Sequence, residues 1–178
     1  EPEGEFHFDG KALNPKEDPA LQTLLHIGSL CNDTSLISAD GVWEVKGDPT
    51  EGALVVTAAK AGLFQQNLNS QFPRVGEIPF SSEAKRMTTV HQTPQGKVAY
   101  SKGAPEVILS SCNHIYRSGQ EAELTQEDRK NVMSIAQEMA GDALRVLGVA
   151  YKRLPDAVGT AETMEQDMTF VGLAGMID

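Results

Sequence analysis

One stretch of this 178-residue chain departs from the rest in its charge. Between Arg74 and Lys102 stand five cations (Arg74, Lys85, Arg86, Lys97, Lys102) against two acids (Glu77, Glu83), a local charge of +3. The whole chain carries −10, so the remainder holds −13. Phe80 lies inside the basic stretch, exposed by the turn that Ser81-Ser82 marks. An aromatic face beside a few cations suits an anionic ligand with a planar ring, because the ring stacks while the cations hold the charge. The competing reading is a solvated edge strand, since edges commonly carry Lys and Arg to block strand-to-strand aggregation.

Other chemistries find no support in the residues. There is no GxxxxGK[ST] or GxGxxG phosphate loop, no GxSxG elbow, and no DxDx(T/V) phosphatase nucleophile. No pair among the 25 acids stands out for acid–base work. His7, His26, His91 and His114 lack HxxxH or HExxH spacing, and Cys31 and Cys112 lack a CxxC, so the cysteines read as reduced, buried thiols. Neither a catalytic residue nor a metal site is expected. The net charge of −10 opposes binding to nucleic acid or to an anionic membrane surface. The longest nearly apolar run, Ala53 to Ala59, falls far short of the roughly 20 residues that cross a bilayer. A soluble monomer with no direct membrane contact is expected.

The elements that must carry these residues follow from periodicity and punctuation. The spacing predicts helices over Asp18–Cys31, from Pro49 to Gly62, over Ala104–Ser111 and over Thr125–Ala140, the last opened by a near capping box of Thr125 and Asp128. In that last helix Val132, Ile135, Ala136 and Met139 form one predicted core stripe. Extended segments are predicted over Glu5–Phe8, Gly41–Val45, Arg74–Phe80, Arg86–Thr93, Lys97–Ser101, Arg145–Tyr151 and Thr169–Ile177. Pro94-Gln-Gly96 joins two of them as a hairpin, and a loop runs from Asp156 to Asp167. This order lacks strict βαβ alternation and predicts an α+β domain, an antiparallel sheet flanked by helices. At roughly 150 residues per domain, 1–178 reads as a single domain. Met176-Ile177-Asp178 ends inside an apolar strand pattern, so the chain reads as a piece of a longer protein.

Five short motifs, taken in order, point further. They are Gly47-Asp-Pro-Thr-Glu-Gly-Ala-Leu54, Pro79-Phe-Ser-Ser-Glu-Ala-Lys-Arg-Met87, Lys102-Gly-Ala-Pro-Glu106, Ala143-Leu-Arg-Val-Leu-Gly-Val-Ala150 and Phe170-Val-Gly-Leu-Ala-Gly-Met-Ile-Asp178. Together they resemble the nucleotide-binding domain of P-type cation-transporting ATPases, most of all the calcium-pump branch, and they span nearly the whole chain. The resemblance implies a cytoplasmic domain of an integral membrane protein. It would bind ATP, with Mg2+ accompanying ATP in the full-length pump, and present it to an aspartate in a separate phosphorylation domain to drive cation transport, Ca2+ by branch.

The resemblance also implies roles. Phe80 would stack on adenine and Glu51 would accept from its amino group. Lys102 would lie at the pocket floor with Gly103 allowing close approach. Lys85 and Arg145 would reach toward ribose and phosphates, and Met87 and Leu147 would line the apolar wall. Residues 1–10 and 170–178 would lie near the junctions with the phosphorylation domain, which with the actuator domain would be this domain's partner in the parent chain. The phosphorylated DKTGT and hinge GDGVNDAP motifs are not in this sequence, so the chain by itself would bind but not hydrolyse ATP. Ser82 stands where calcium pumps often carry an arginine, so that phosphate contact would weaken or come from Lys85 or Arg86. An alternative reading is the same fold without nucleotide affinity, acting as an interdomain scaffold.

Overall fold

A computed structural model describes residues 2–155 and 160–177. Strands β1 (Phe6–Phe8) and β2 (Lys11–Leu13) form a small hairpin, followed by α1 (Pro19–Leu30), a second hairpin of β3 (Ser35–Ala39) and β4 (Val42–Lys46), α2 (Pro49–Lys60) and α3 (Gln65–Gln71). Then come β5 (Arg74–Ser81), β6 (Arg86–Thr93), β7 (Gly96–Gly103), α4 (Pro105–Ser110), β8 (Cys112–Arg117), β9 (Gln120–Glu123), α5 (Gln126–Gly141), β10 (Leu144–Arg153), α6 (Ala161–Met164) and β11 (Met168–Ile177). Seven strands form one sheet in the order β5-β6-β7-β10-β11-β8-β9. The expected α+β architecture stands with one difference. β11 pairs with β8 in parallel, because the chain reaches β11 from the far side, through β10 and α6, and not by a hairpin.

Local chemistry explains the helix boundaries. Asp18 caps α1, accepting from the Leu21 N–H at 3.0 Å, with Pro19 at the first helical position. Thr125 and Asp128 make the full reciprocal capping box on α5. After α2 the chain turns through Gly62, whose φ of +81° suits glycine at a helix end. The predicted stripe of α5 shifts by one position. Ala136 is buried, and Val132 and Met133 pack on the core, while Ile135 is half exposed because it falls beyond the stripe's edge. The predicted loop of 156–167 contains α6, whereas its first residues, 156–159, and the closing Asp178 lie outside the described residues.

Helices cover both faces of the sheet. On one face Ile27, Leu30 and Cys31 of α1 and Leu68 of α3 pack on Met87, Tyr100, Val149 and Val171. On the other, Ile108 and Leu109 of α4 and Val132 and Met133 of α5 pack on Ala150 and Phe170. Fully buried Ile27 and Leu30 each contribute about 1.5–3 kcal/mol by leaving water. Both cysteines are free and buried, and among the described residues no helix is long and apolar enough to cross a membrane.

Candidate functional site

The Gly47–Leu54 motif is a device for aiming one carboxylate. Gly47 has φ +131°, and a Cβ there would stand 2.5 Å from Thr34 Oγ1 and 3.0 Å from its Cα, so both backbone and space require glycine. Asp48 then caps α2, accepting from the Glu51 N–H at 3.1 Å, and Pro49 occupies the first helical position. Glu51 is thereby held in the first turn, where the helix dipole favours an anion. Gly52 lets α2 lie against β4, since a Cβ there would come within 2.4 Å of Val45 Cγ1.

Glu51 meets Lys102. The Lys102 Nζ donates to Glu51 Oε1 at 2.6 Å and also to the backbone carbonyl of Cys31 at the end of α1. The Lys102 side chain is only 6% exposed and that of Glu51 20%. A lysine this deep is tolerated because both a carboxylate and a helix-end carbonyl accept from it. Glu51 Oε2 accepts from the Asp33 N–H at 3.2 Å and the Thr34 hydroxyl at 3.4 Å. Asn32 Nδ2 donates to the Glu51 carbonyl at 2.8 Å, tying α1 to α2.

The register arranges a row across the sheet beneath this pair. Lys102 on β7 stands opposite Met87 on β6 and opposite Val149 on β10. On the edge strand β5 the pairing steps from Ile78↔Thr88 to Ser81↔Arg86, so Pro79 and Phe80 together stand against Met87. That is a β-bulge on an edge, a place where proline's missing N–H costs nothing. Phe80 leaves the bulge with 64% of its surface exposed, unusual for a phenylalanine and distinct from the buried Met87 beside it. Leu147, two residues before Val149, is half-buried.

Gly103 lies where two strands crowd. A Cβ there would sit 2.3 Å from the Lys85 carbonyl oxygen and 2.8 Å from the Arg86 Cα, and the same carbonyl accepts from the Ala104 N–H at 3.0 Å. Lys85 itself has φ +55° and an exposed side chain at the end of the Ser81–Lys85 turn. Arg145 Nη1 donates to Thr50 Oγ1 at 2.7 Å, which brings the start of β10 to the residue beside Glu51. Glu51, Lys102, Gly103, Met87 and Arg145 are thus brought to one end of the sheet. Leu147 and Phe80 stand on flanking positions of the same strands, and Lys85 at the neighbouring turn.

The basic stretch is less basic in three dimensions than in one. Arg74 pairs with Asp33 at 2.8 Å and Glu77 at 3.1 Å. Burial alone would depress its guanidinium, but these carboxylates outweigh that and raise its pKa. Arg86, named as a substitute for the missing phosphate arginine, is not available for that role. It is buried on the opposite face, bonded to Ser101 and Ser111 and 3.5 Å from Glu165, because side chains alternate along β6 and Arg86 falls on the other side from Met87. Desolvation lowers its pKa while Glu165 opposes.

Sequence reasoning missed Asn32, Asp33, Thr34 and the Cys31 carbonyl, all of which hold the Glu51–Lys102 pair. The polar run after an apolar helix was the available signal, but its partner lies 17–19 residues on and nothing in one dimension joins them. Burial pushes the Cys31 thiol's pKa up, outweighing the opposing pull of nearby Lys102 and Arg74.

Similarity to known proteins gives the family. A family model described as P-type ATPase, cytoplasmic domain N, matches residues 20–178. The chain is 35% identical to a calcium-transporting ATPase of Bacillus subtilis over 100% of its own length and 20% of that protein. It is 36% identical to a calcium-transporting ATPase of Listeria monocytogenes over 96% of the chain and 20% of that protein. A cation-transporting ATPase of Synechocystis is 39% identical over 90% of the chain and 18% of its own length. The chain therefore spans about a fifth of these relatives. With the family model covering all but the first nineteen residues, and relatives matching it nearly end to end, this chain belongs to the cytoplasmic N-domain family of P-type ATPases.

Proposed function

We propose that this chain is the ATP-holding domain of a cation pump, presenting bound ATP to an aspartate in the phosphorylation domain of the same polypeptide. The observation that carries this reading is the Glu51–Lys102 pair at 2.6 Å, on the sheet row whose edge strand presents the exposed ring of Phe80 opposite Met87. The residues fit the ligand's chemistry. Phe80 offers a stacking face, and Glu51 Oε2, whose contacts at 3.2 and 3.4 Å are long, can accept from an exocyclic amine. Lys102 and its bonds hold Glu51 in place, and Gly103 keeps the floor open. Lys85 and Arg145 supply cations for ribose and phosphates, and Met87 and Leu147 the apolar wall.

In this proposal the chain supplies binding and orientation only, and the phosphoryl-accepting aspartate belongs to another domain. Mg2+ would arrive with the phosphates of ATP. The whole of 1–178 acts as one unit, with 1–10 and 170–178 near the junctions to the phosphorylation domain, and the actuator domain is its other partner. The parent protein is an integral membrane pump with this domain in the cytoplasm. The names of the relatives favour Ca2+ as cargo. The test is an ATP titration of the chain followed by amide chemical shifts. Shifts clustered at Glu51, Phe80–Met87, Lys102–Ala104 and Arg145 are expected, whereas silence at millimolar ATP removes the nucleotide role and leaves a scaffold.

A further inference from the structure

The end of α1 is held by two cations from two strands. Lys102 of β7 donates to the Cys31 carbonyl, and Arg74 of β5 takes the carbonyls on either side of it. Arg74 Nη2 donates to the Leu30 carbonyl at 3.2 Å and to the Asn32 carbonyl at 2.6 Å. Its other arm, Nη1, donates to Asp33 Oδ1 at 2.8 Å and to Glu77 Oε2 at 3.1 Å. Carbonyls at a helix end have no partner inside the helix, and a planar guanidinium spans acceptors on several residues with a fork that an ammonium lacks. The segment gripped in this way leads directly into Asp33 and Thr34, whose N–H and hydroxyl donate to Glu51 Oε2. Arg74 stands on fixed ground: it pairs opposite buried His91, His91 Nδ1 donates to the Phe72 carbonyl at 2.8 Å, and the Gln92 N–H donates to the Pro73 carbonyl at 3.0 Å. Strand β5 breaks its regular pairing twice, between Arg74 and Gly76 and between Ile78 and Ser81, where Phe80 stands. Such irregularities re-aim side chains.

We propose that Arg74 is a positioning residue for base recognition: by fixing the end of α1 it holds the Asp33 N–H and the Thr34 hydroxyl where they set the direction of Glu51 Oε2. The inference rests on the reading of Glu51 as the acceptor for adenine's amino group. Lys102 fixes only one of the two carboxylate oxygens, Oε1 at 2.6 Å. The terminal torsion of a glutamate is broad, so a carboxylate held at one oxygen still turns, and the contacts at 3.2 and 3.4 Å decide where the other oxygen points. Those contacts come from the turn that Arg74 grips. The same edge strand carries Phe80, so Arg74 also ties the carboxylate that would read the base to the strand that presents the stacking ring. The role is one of geometry, since Arg74 acts through Asp33 and Thr34 and its own charge is matched by Asp33 and Glu77.

The test compares ATP with inosine triphosphate, which has a carbonyl in place of the exocyclic amine, by titrating each into the chain and following amide shifts. The native chain should prefer ATP about tenfold, because the carboxylate faces a carbonyl in the other complex. Arg74→Gln should reduce that preference to about twofold or less by weakening ATP while leaving the affinity for inosine triphosphate nearly unchanged. A merely structural loss would weaken both nucleotides alike. Arg74→Lys keeps a charge beside Asp33 and Glu77 without the fork, so its preference should fall between the two, and it decides the matter alone if Arg74→Gln does not fold. A native chain that binds neither nucleotide, or both equally, overturns the reading of Glu51 and this inference with it. A native preference for ATP that survives in the Arg74 variants, or that is accompanied by equal weakening of both nucleotides, overturns the role of Arg74 alone.

Discussion

Lys102 Nζ lies 2.6 Å from Glu51 Oε1, joining the end of strand β7 to the first turn of α2 across 51 positions of sequence. Each residue is explained by the other. Without Glu51 the lysine would be a buried cation with one carbonyl for company, and without Lys102 the carboxylate would face a helix end and two weak donors.

Glu51→Gln should therefore destabilise the chain by about 2–4 kcal/mol, since it leaves a buried ammonium unpaired. Pairing it with Lys102→Met should recover part of that loss. Urea unfolding of the two single variants and the double measures this, and strict additivity would show that the two residues do not act as a pair.

Phe80→Ala separates function from stability. The ring is mostly exposed, so the midpoint of unfolding should move by less than about 0.5 kcal/mol. ATP affinity should fall by about 1–3 kcal/mol from loss of the stacking face. Calorimetry on the native chain and on Phe80→Ala decides it: intact ATP binding would take Phe80 out of the site.

Gly103→Ala should cost about 3 kcal/mol, because the new methyl meets backbone atoms of Lys85 and Arg86 that have no rotamer to escape into. The Ala104 N–H to Lys85 carbonyl bond should lengthen, and slow amide exchange at Ala104 should be lost. A variant with native exchange and native stability would refute the crowding.

Acid should weaken the fold through His26. Burial, then the neighbouring His91, lowers its pKa from 6.5 to about 4, so between those values the unfolded chain binds the extra proton. Stability from this source is complete above pH 6.5 and is lost as pH falls toward 4, reaching about 2 kcal/mol at pH 5. His91 is lowered in the same direction by its own burial and adds to the trend. His26→Gln should flatten the dependence measured by urea unfolding at pH 7 and pH 5; an unchanged slope would mean His26 is protonated in the folded chain.

Much of the fold was legible in one dimension where local rules suffice. Pro19 after Asp18, Pro49 after Asp48 and the Thr125–Asp128 box mark helix starts because capping is decided within four residues. The Pro94–Gly96 hairpin was equally plain, since Thr93 pairs with Gly96 across the shortest of loops. Strands β2, β3, β8 and β9 and helices α3 and α6 went unread. Their sequences are short and polar, with no sustained period, and pairing with neighbours makes up for weak intrinsic preference.

The candidate site divides the same way. Motif order alone pointed to the family and to Glu51, Phe80, Lys85, Met87, Lys102, Gly103, Arg145 and Leu147, because a run such as Lys102-Gly-Ala-Pro-Glu106 is a local string that needs no partner to be read. Which cations are already paired was decided only by tertiary structure. Arg74 and Arg86 look interchangeable with Lys85 along the chain, yet Asp33 and Glu165 claim the first two, and strand alternation turns Arg86 to the far face. Charge is additive in sequence, but burial and partner are properties of a position in space, and the sheet register alone assigns them.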